Sequence, residues 1–402
     1  MRHVQETPTT AGGRCHPSGP APWDERVLEE VGAAIFTSLR RSDQRKRGAD
    51  YLRGLLAVDG RRSIRNLASV LGGSATEQSL HHFVCGSTWD WSPVRRALAR
   101  HLADRMAPSA WVVRPMVIPK AGENSVGVER LYVSEAGQFV NAQQACGVWA
   151  ATEEMSAPVN WRLHLAASWL DDERRRQASI PGDVGESSLG ESAVEAVLET
   201  ARDWDVALRP VVLDARGMDV FTTVRRLRRA RVPFLARLSG SELLTSADHA
   251  FGARVPQPWG AARLMAAARD RMRPVPLRDP EASAEPRMGV AALVRVRPPG
   301  PARRFPGAGG LGLLGVGETR RQGPDEWWLT DMTGTQPHVL VRLSRLTRRV
   351  GLDFHASADR LGIRDFTGRS YGGWHRHATL SSAAHAVSML SVAGRGALAE
   401  AC

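Results

Sequence analysis

The chain has 402 residues, 43% of them hydrophobic, which is enough for two or three ordinary globular domains. No apolar run approaches the roughly 18 residues needed to span a bilayer, so a membrane-embedded role is excluded by this reading. A formal net charge of +12 favours a polyanionic partner.

The charge signal needs discounting. Lys46 and Lys120 are the only lysines, so 52 of the 54 basic residues are arginines, a ratio that GC-rich coding leaves on any surface. Cys15, Cys85, Cys146 and Cys402 are far apart and form no CxxC, which disfavours both a metal knuckle and a disulfide framework. The Pro/Gly/Thr-rich stretch 1–25 contains no apolar core of signal-peptide length. It reads as a disordered tail on a cytoplasmic, nucleoid-associated protein.

Residues 26–106 read as helical. Val27–Leu39 and Arg47–Val58 carry apolar positions at helical spacing. Shorter helices follow at Ser63–Leu71 and Gln78–Val84, with Ser63 and Ser79 near their starts. Ser92-Pro93 opens Val94–Met106, with Ser92 as the expected N-cap. Arg40, Arg41, Arg45, Lys46, Arg47, Arg61, Arg62 and Arg65 surround these helices, either gripping phosphates or decorating a bundle. His81-His82 reads as a polar rim, and Trp89-Asp90-Trp91 as a structural turn.

The chain then turns to strands. Trp111–Ile118 is a buried run, Val126–Tyr132 alternates, and Gln138–Ala150 is rich in small and β-branched residues. Turn signals at Ala121-Gly122-Glu123-Asn124 and Glu135-Ala136-Gly137 separate them, as in an antiparallel meander. Asp171 and Asp172 sit at a charged helix start, where capping is the better account. After a helix over Ser187–Asp203, the apolar strand Pro210–Asp214 ends in a single carboxylate, the place where α/β folds present chemistry. Phe221–Arg231 is a strongly basic helix carrying Arg225, Arg226, Arg228 and Arg229, and Pro233–Leu238 is the next strand.

Residues 241–324 lose periodicity and gain Pro and Gly, with a strand-like Val290–Val296 inside. They form either a strand-containing insertion or a flexible linker. Glu326–Thr330 resumes the fold, and a helix from about Val339 leads into the closing segment.

Two blocks resemble the insertion-sequence transposases of the DDE superfamily endonuclease class. One is Pro119-Lys120-x-Gly122-x-x-Ser125-Val126-Gly127-Val128 with its following Tyr and Gly. The other is Gly362-Ile363-Arg364-Asp365-Phe366-Thr367-Gly368-Arg369-Ser370-Tyr371-x-x-Trp374-x-Arg376-His377-x-x-Leu380. The resemblance implies an RNase H-like α/β domain over 107–240 and 325–395, a helical DNA-binding domain over 26–106, and an insertion over 241–324. It implies double-stranded DNA as partner, with a homodimer on the DNA as one compatible assembly. Arg45, Lys46, Arg47, Lys120, Arg225, Arg226, Arg228, Arg229, Arg348, Arg369, His375 and His377 would face nucleic acid, with fold support around Trp374 and the final helix as the competing reading of Arg369, Arg376, His375 and His377.

The resemblance also marks what is missing. The first strand of the family ends in paired aspartates, and Arg114 and Pro115 hold those places. The second acid falls on Asp214. Counting from Phe354, the third falls on Gly351, the lysine that follows it on Ala358, and the helix-opening Arg-Trp on Thr347-Arg348. Asp214 is then the single catalytic acid retained, and no metal is expected unless Mg²⁺ or Mn²⁺ binds through it.

Three functions remain open. The first is a DNA-binding protein without strand transfer. The second is a working transposase using Asp214 with displaced carboxylates such as Asp219, Asp331, Asp353 or Glu123. The third is a structural or interaction protein without DNA binding.

Overall fold

A computed structural model describes residues 23–72, 74–133, 137–247, 257–278, 287–299 and 310–400. The expected tail up to residue 22, most of RDPEASAEPR and most of PPGPARRFPGA lie outside the described residues.

Five helices open the fold: α1 Glu25–Ile35, α2 Ser42–Ala57, α3 Ile64–Leu71, α4 Ser74–His81 and α5 Trp91–Met106. Ser63 caps α3 as expected, accepting from the Asn66 amide at 3.2 Å. Two starts differ from expectation. Helix α4 begins at Ser74, so Ser79 lies inside it, and it runs on into a π-turn over His82–Gly86. Helix α5 is capped by Asp90 rather than Ser92: the Asp90 carboxylate accepts from the Ser92 amide at 2.9 Å. An ionised acceptor at the positive end of the helix is the better cap, and Ser92 is left in the first turn.

The sheet is built around β1 Ala110–Pro119. Antiparallel to it runs β3 Gln138–Ala151, whose outer edge carries β2 Val128–Val133 along one half and β4 Ser156–Leu163 along the other. On the opposite side of β1 lie β5 Val211–Asp214 and then β6 Phe234–Leu238, both parallel to it. The three expected strands form, but not in the expected meander order: β3, not β2, pairs with β1, so the antiparallel run is β1-β3-β4 and β2 is an added hairpin arm on the outer edge of β3. Gly127 stands in the turn that leads into β2. Its φ is +76°, and a Cβ there would stand 3.1 Å from the His164 carbonyl oxygen.

Between β5 and β6 the chain crosses over through α8 Val220–Arg229, capped by Asp219. The segment after β6 is no linker in its described parts. It adds β7 Leu243–Ser246, β8 Pro258–Gly260, α9 Ala261–Ala267, β9 Arg273–Leu277, β10 Arg287–Arg297 and β11 Leu311–Gly317. Strand β12 Glu326–Thr330 joins these to β6, giving one mixed sheet in the order β2-β3-β1-β5-β6-β12-β11-β10-β7-β8.

Further helices complete the packing. Helix α6 Asp172–Gln177 is capped by Asp171, as its sequence suggested. Helix α7 Leu189–Leu198 starts in a capping box between Ser188 and Glu191 and packs on β1, β3 and β4. Helix α10 Pro337–Asp353 lies along β1, β5 and β10, and α11 Tyr371–Glu400 packs against β4, α1, α2 and α5. One continuous apolar core runs from Leu28 of the front helices to Val387 of α11. The antiparallel run β1-β3-β4 with β5 and β6 parallel to β1, flanked by helices, is the RNase H-like arrangement the sequence implied.

Candidate active site

The row across the middle of the sheet defines the site. Registers pair Arg114 of β1 with Gly147 of β3, Asp214 of β5 with Arg237 of β6, and Arg237 with Trp328 of β12. Val113 is paired in parallel with Leu213, so the next residues, Arg114 and Asp214, stand side by side. Paired residues of a sheet share a face, so the row presents Arg114, Asp214, Arg237 and Trp328 together.

Helix α10 covers this row from above. A Cβ built on Gly351 would meet one neighbouring side-chain atom within 4 Å, Nη1 of Arg114 at 3.8 Å. The Arg114 guanidinium lies 4.4 Å from the centre of the Phe354 ring and hydrogen-bonds His355 at 3.3 Å. Gly351 therefore looks into the row, and it carries no side chain.

Asp214 is held by its own neighbour. Arg216 donates to both carboxylate oxygens at 2.6–3.1 Å, and its backbone amide adds a bond at 3.1 Å. This fork pushes the Arg216 pKa up, the Asp214 hydrogen bonds being the chief cause.

A second carboxylate that sequence reading missed lies close by. Glu326, 5% exposed, accepts from Arg345 at 2.8 Å and Arg348 at 2.9 Å. Burial alone would raise its pKa, but Arg345, Arg237 and Arg348 more than offset this and hold it below the usual glutamate range. The only sequence signal was an acid placed directly before Trp327-Trp328 on a core strand.

The displaced carboxylates have other partners. Asp353 accepts from Ser156 at 2.7 Å and from Arg349 at 2.6 and 3.1 Å. Asp219 caps α8 through the Thr222 amide at 3.0 Å, and Asp331 accepts from the Phe234 amide at 3.0 Å. Glu123 is exposed in the turn after β1. Among the described residues no group of three or more His, Cys, Asp or Glu side chains could hold a metal ion.

The expected nucleic-acid contacts separate into surface and core. Arg45 and Lys46 are exposed on α2 with Arg47 half-buried, and Arg45 folds back onto the Leu39 carbonyl at 2.7 Å. On α8, Arg229 is exposed, Arg225, Arg226 and Arg228 are half-buried, and Arg226 reaches Glu195 at 3.4 Å. Arg369 is exposed, and Lys120 donates to the Phe366 carbonyl at 2.6 Å. Burial, helped by repulsion from Arg61, lowers the Lys120 pKa to about 8. Arg62 is buried and turned onto the Leu55 and Gly60 carbonyls.

His375 and His377 are corrections, because both are 2% exposed. His375 stacks on Trp91 with ring centroids 4.7 Å apart. His377 bonds the Tyr51 hydroxyl at 2.9 Å and the Gly362 carbonyl at 2.7 Å. They tie the closing helix to the front helices and reach no surface where DNA could lie. His81 and His82 are exposed, and Trp89 donates to the Phe83 carbonyl at 2.8 Å, which fits the rim and turn readings.

The scaffold and the acid at the end of β5 define an RNase H-like domain of the kind that performs phosphodiester chemistry on nucleic acid. A family model described as DDE superfamily endonuclease matches residues 34–296, more than half the chain. The chain belongs to that family. No curated protein matches it. Members of the family typically depend on divalent metal. The side chains of the row do not fit such an ion: one carboxylate is already forked by a guanidinium, a second guanidinium stands beside it, and Gly351 offers no ligand.

Proposed function

We propose that this protein is a transposase-like DNA-binding protein whose strand-transfer centre no longer works. The observation that carries this reading is Arg114 beside Asp214 with Gly351 facing it. Transfer of a phosphodiester by two metals about 4 Å apart needs carboxylates to hold four positive charges in geometry. A single carboxylate already engaged by Arg216 supplies too little negative charge, and Arg114 would repel any cation arriving there. Losing members of a catalytic unit removes most of its rate.

DNA contact is supported by the +12 charge, by the family's action on DNA, and by arginines on α2 and α8. Such contacts grip phosphates and carry little sequence information. The test is binding and nicking of the DNA flanking the gene, in Mg²⁺ or Mn²⁺, by wild type and Asp214→Ala. An active transposase cutting its own ends serves as control. Salt-sensitive binding by both proteins without nicking is expected. Nicking that Asp214→Ala abolishes would establish a rebuilt active site instead, and absence of binding would favour an interaction protein.

A further inference from the structure

The face of the sheet beneath α10 is more basic than a decayed acidic centre needs to be. Arg114, Arg216, Arg237, Arg345 and Arg348 lie around two carboxylates, Asp214 and Glu326. Both carboxylates are saturated. Asp214 is forked by Arg216, and Glu326 holds Arg345 and Arg348. Arg237 lies over the Trp328 ring at 5.8 Å, and no carboxylate among the described residues pairs with it directly. The trough opens to solvent, since the Arg216 and Arg348 side chains are 50% and 51% exposed.

Resting on the DNA-binding reading above, we infer that this trough is a metal-independent site for one backbone phosphate, gripped by Arg114 and Arg237 on either side of Asp214. Their strands are two steps apart in the sheet, roughly 10 Å at the backbone, a gap that two arginine side chains can close on a tetrahedral anion between them. Asp214 would repel that anion if free. The Arg216 fork neutralises it, so the one acid retained from the active-site frame anchors a third guanidinium at the floor. An assembly that in an active relative collects cations would here collect the phosphate itself.

Two measurements test this in EDTA with a short fluorescent duplex. The first compares the salt dependence of affinity for wild type, Arg114→Gln, Arg237→Gln and the corresponding Lys variants. Each Gln variant is expected to bind several-fold more weakly, with a slope of log affinity against log salt shallower by about 1, while Lys preserves the slope. The second needs no substitution: DNA should protect Arg114 and Arg237 of the wild-type protein from phenylglyoxal, read by mass spectrometry.

Wild-type slopes in both Gln variants, no protection, or tighter binding when Mg²⁺ replaces EDTA would each overturn the inference while leaving DNA binding intact. Failure of the wild type to bind the duplex at all would overturn both the inference and the reading beneath it.

Discussion

Replacing Glu326 by Gln removes one charge and almost no volume. Arg345, at 2.8 Å and with a side chain 11% exposed, is then a buried cation without an anion. Arg348 is 51% exposed and returns to water. Breaking a buried pair from one side costs about 3–5 kcal/mol, whereas an exposed partner contributes at most about 1 kcal/mol. Because Gln keeps an acceptor for Arg345, the lower end applies, about 3 kcal/mol.

Chemical denaturation followed by tryptophan emission is a suitable assay, since Trp328 donates to Glu326 at 3.3 Å. Adding Arg345→Met should recover at least half the loss by removing the stranded cation. The pH dependence has a fixed sign. A carboxylate held below its unfolded value stabilises the fold above about pH 4.3, and that contribution fades as pH falls through the folded value. In Glu326→Gln this acid-sensitive part should vanish. A variant within about 0.5 kcal/mol of wild type, or a double variant weaker than the single, would refute the buried-pair argument.

Two further substitutions probe the same architecture. Gly351→Ala should stabilise the protein by about 0.5–1 kcal/mol, since Gly351 is inside α10 and a Cβ meets only Arg114 Nη1 at 3.8 Å. A loss of melting temperature would mean that the space above the row is already filled. His377 is buried, and desolvation lowers its pKa to about 4, so the unfolded chain takes up a proton between about pH 6.5 and 4 that the folded chain refuses. Stability should fall by about 3 kcal/mol across that window. His377→Gln should flatten the fall, and an unchanged profile would place the acid sensitivity elsewhere.

Much of this was legible in the chain. The apolar run ending in Asp214, the Ser63 and Asp171 caps and the Trp89-Asp90-Trp91 turn depend on neighbours in sequence, and they came out as read. What stayed hidden depends on distant contacts. Strand β11, Leu311–Gly317, is Gly-rich and lies in the stretch that reads either as a strand-containing insertion or as a flexible linker. Its glycines are there for close packing: a Cβ on Gly317 would stand 2.3 Å from the Gly323 carbonyl oxygen. Strand β9 contains Pro274 and Pro276, and prolines survive there because β9 pairs only with β10 and stands at an edge.

The site divides in the same way. The register that put Gly351 opposite Arg114 came from motif spacing. The Arg216 fork on Asp214 and the role of Glu326 did not, because a guanidinium two residues from an acid, or two turns along a remote helix, carries no periodic signal. His375 and His377 stand in an arginine-rich segment that reads either as phosphate contact or as fold support around Trp374. Their partners Trp91 and Tyr51 lie roughly three hundred residues upstream, and that contact buries them.

The most direct test of an arginine-held row in place of a metal centre is Mn²⁺ titration of the wild-type protein followed by electron paramagnetic resonance, with Asp214→Ala alongside. The expected result is the same free-ion signal for both proteins, with no site that depends on Asp214. A Mn²⁺ site in the wild type that disappears in Asp214→Ala would contradict it, and would mean that Arg216 and Arg114 yield the row to a metal after all.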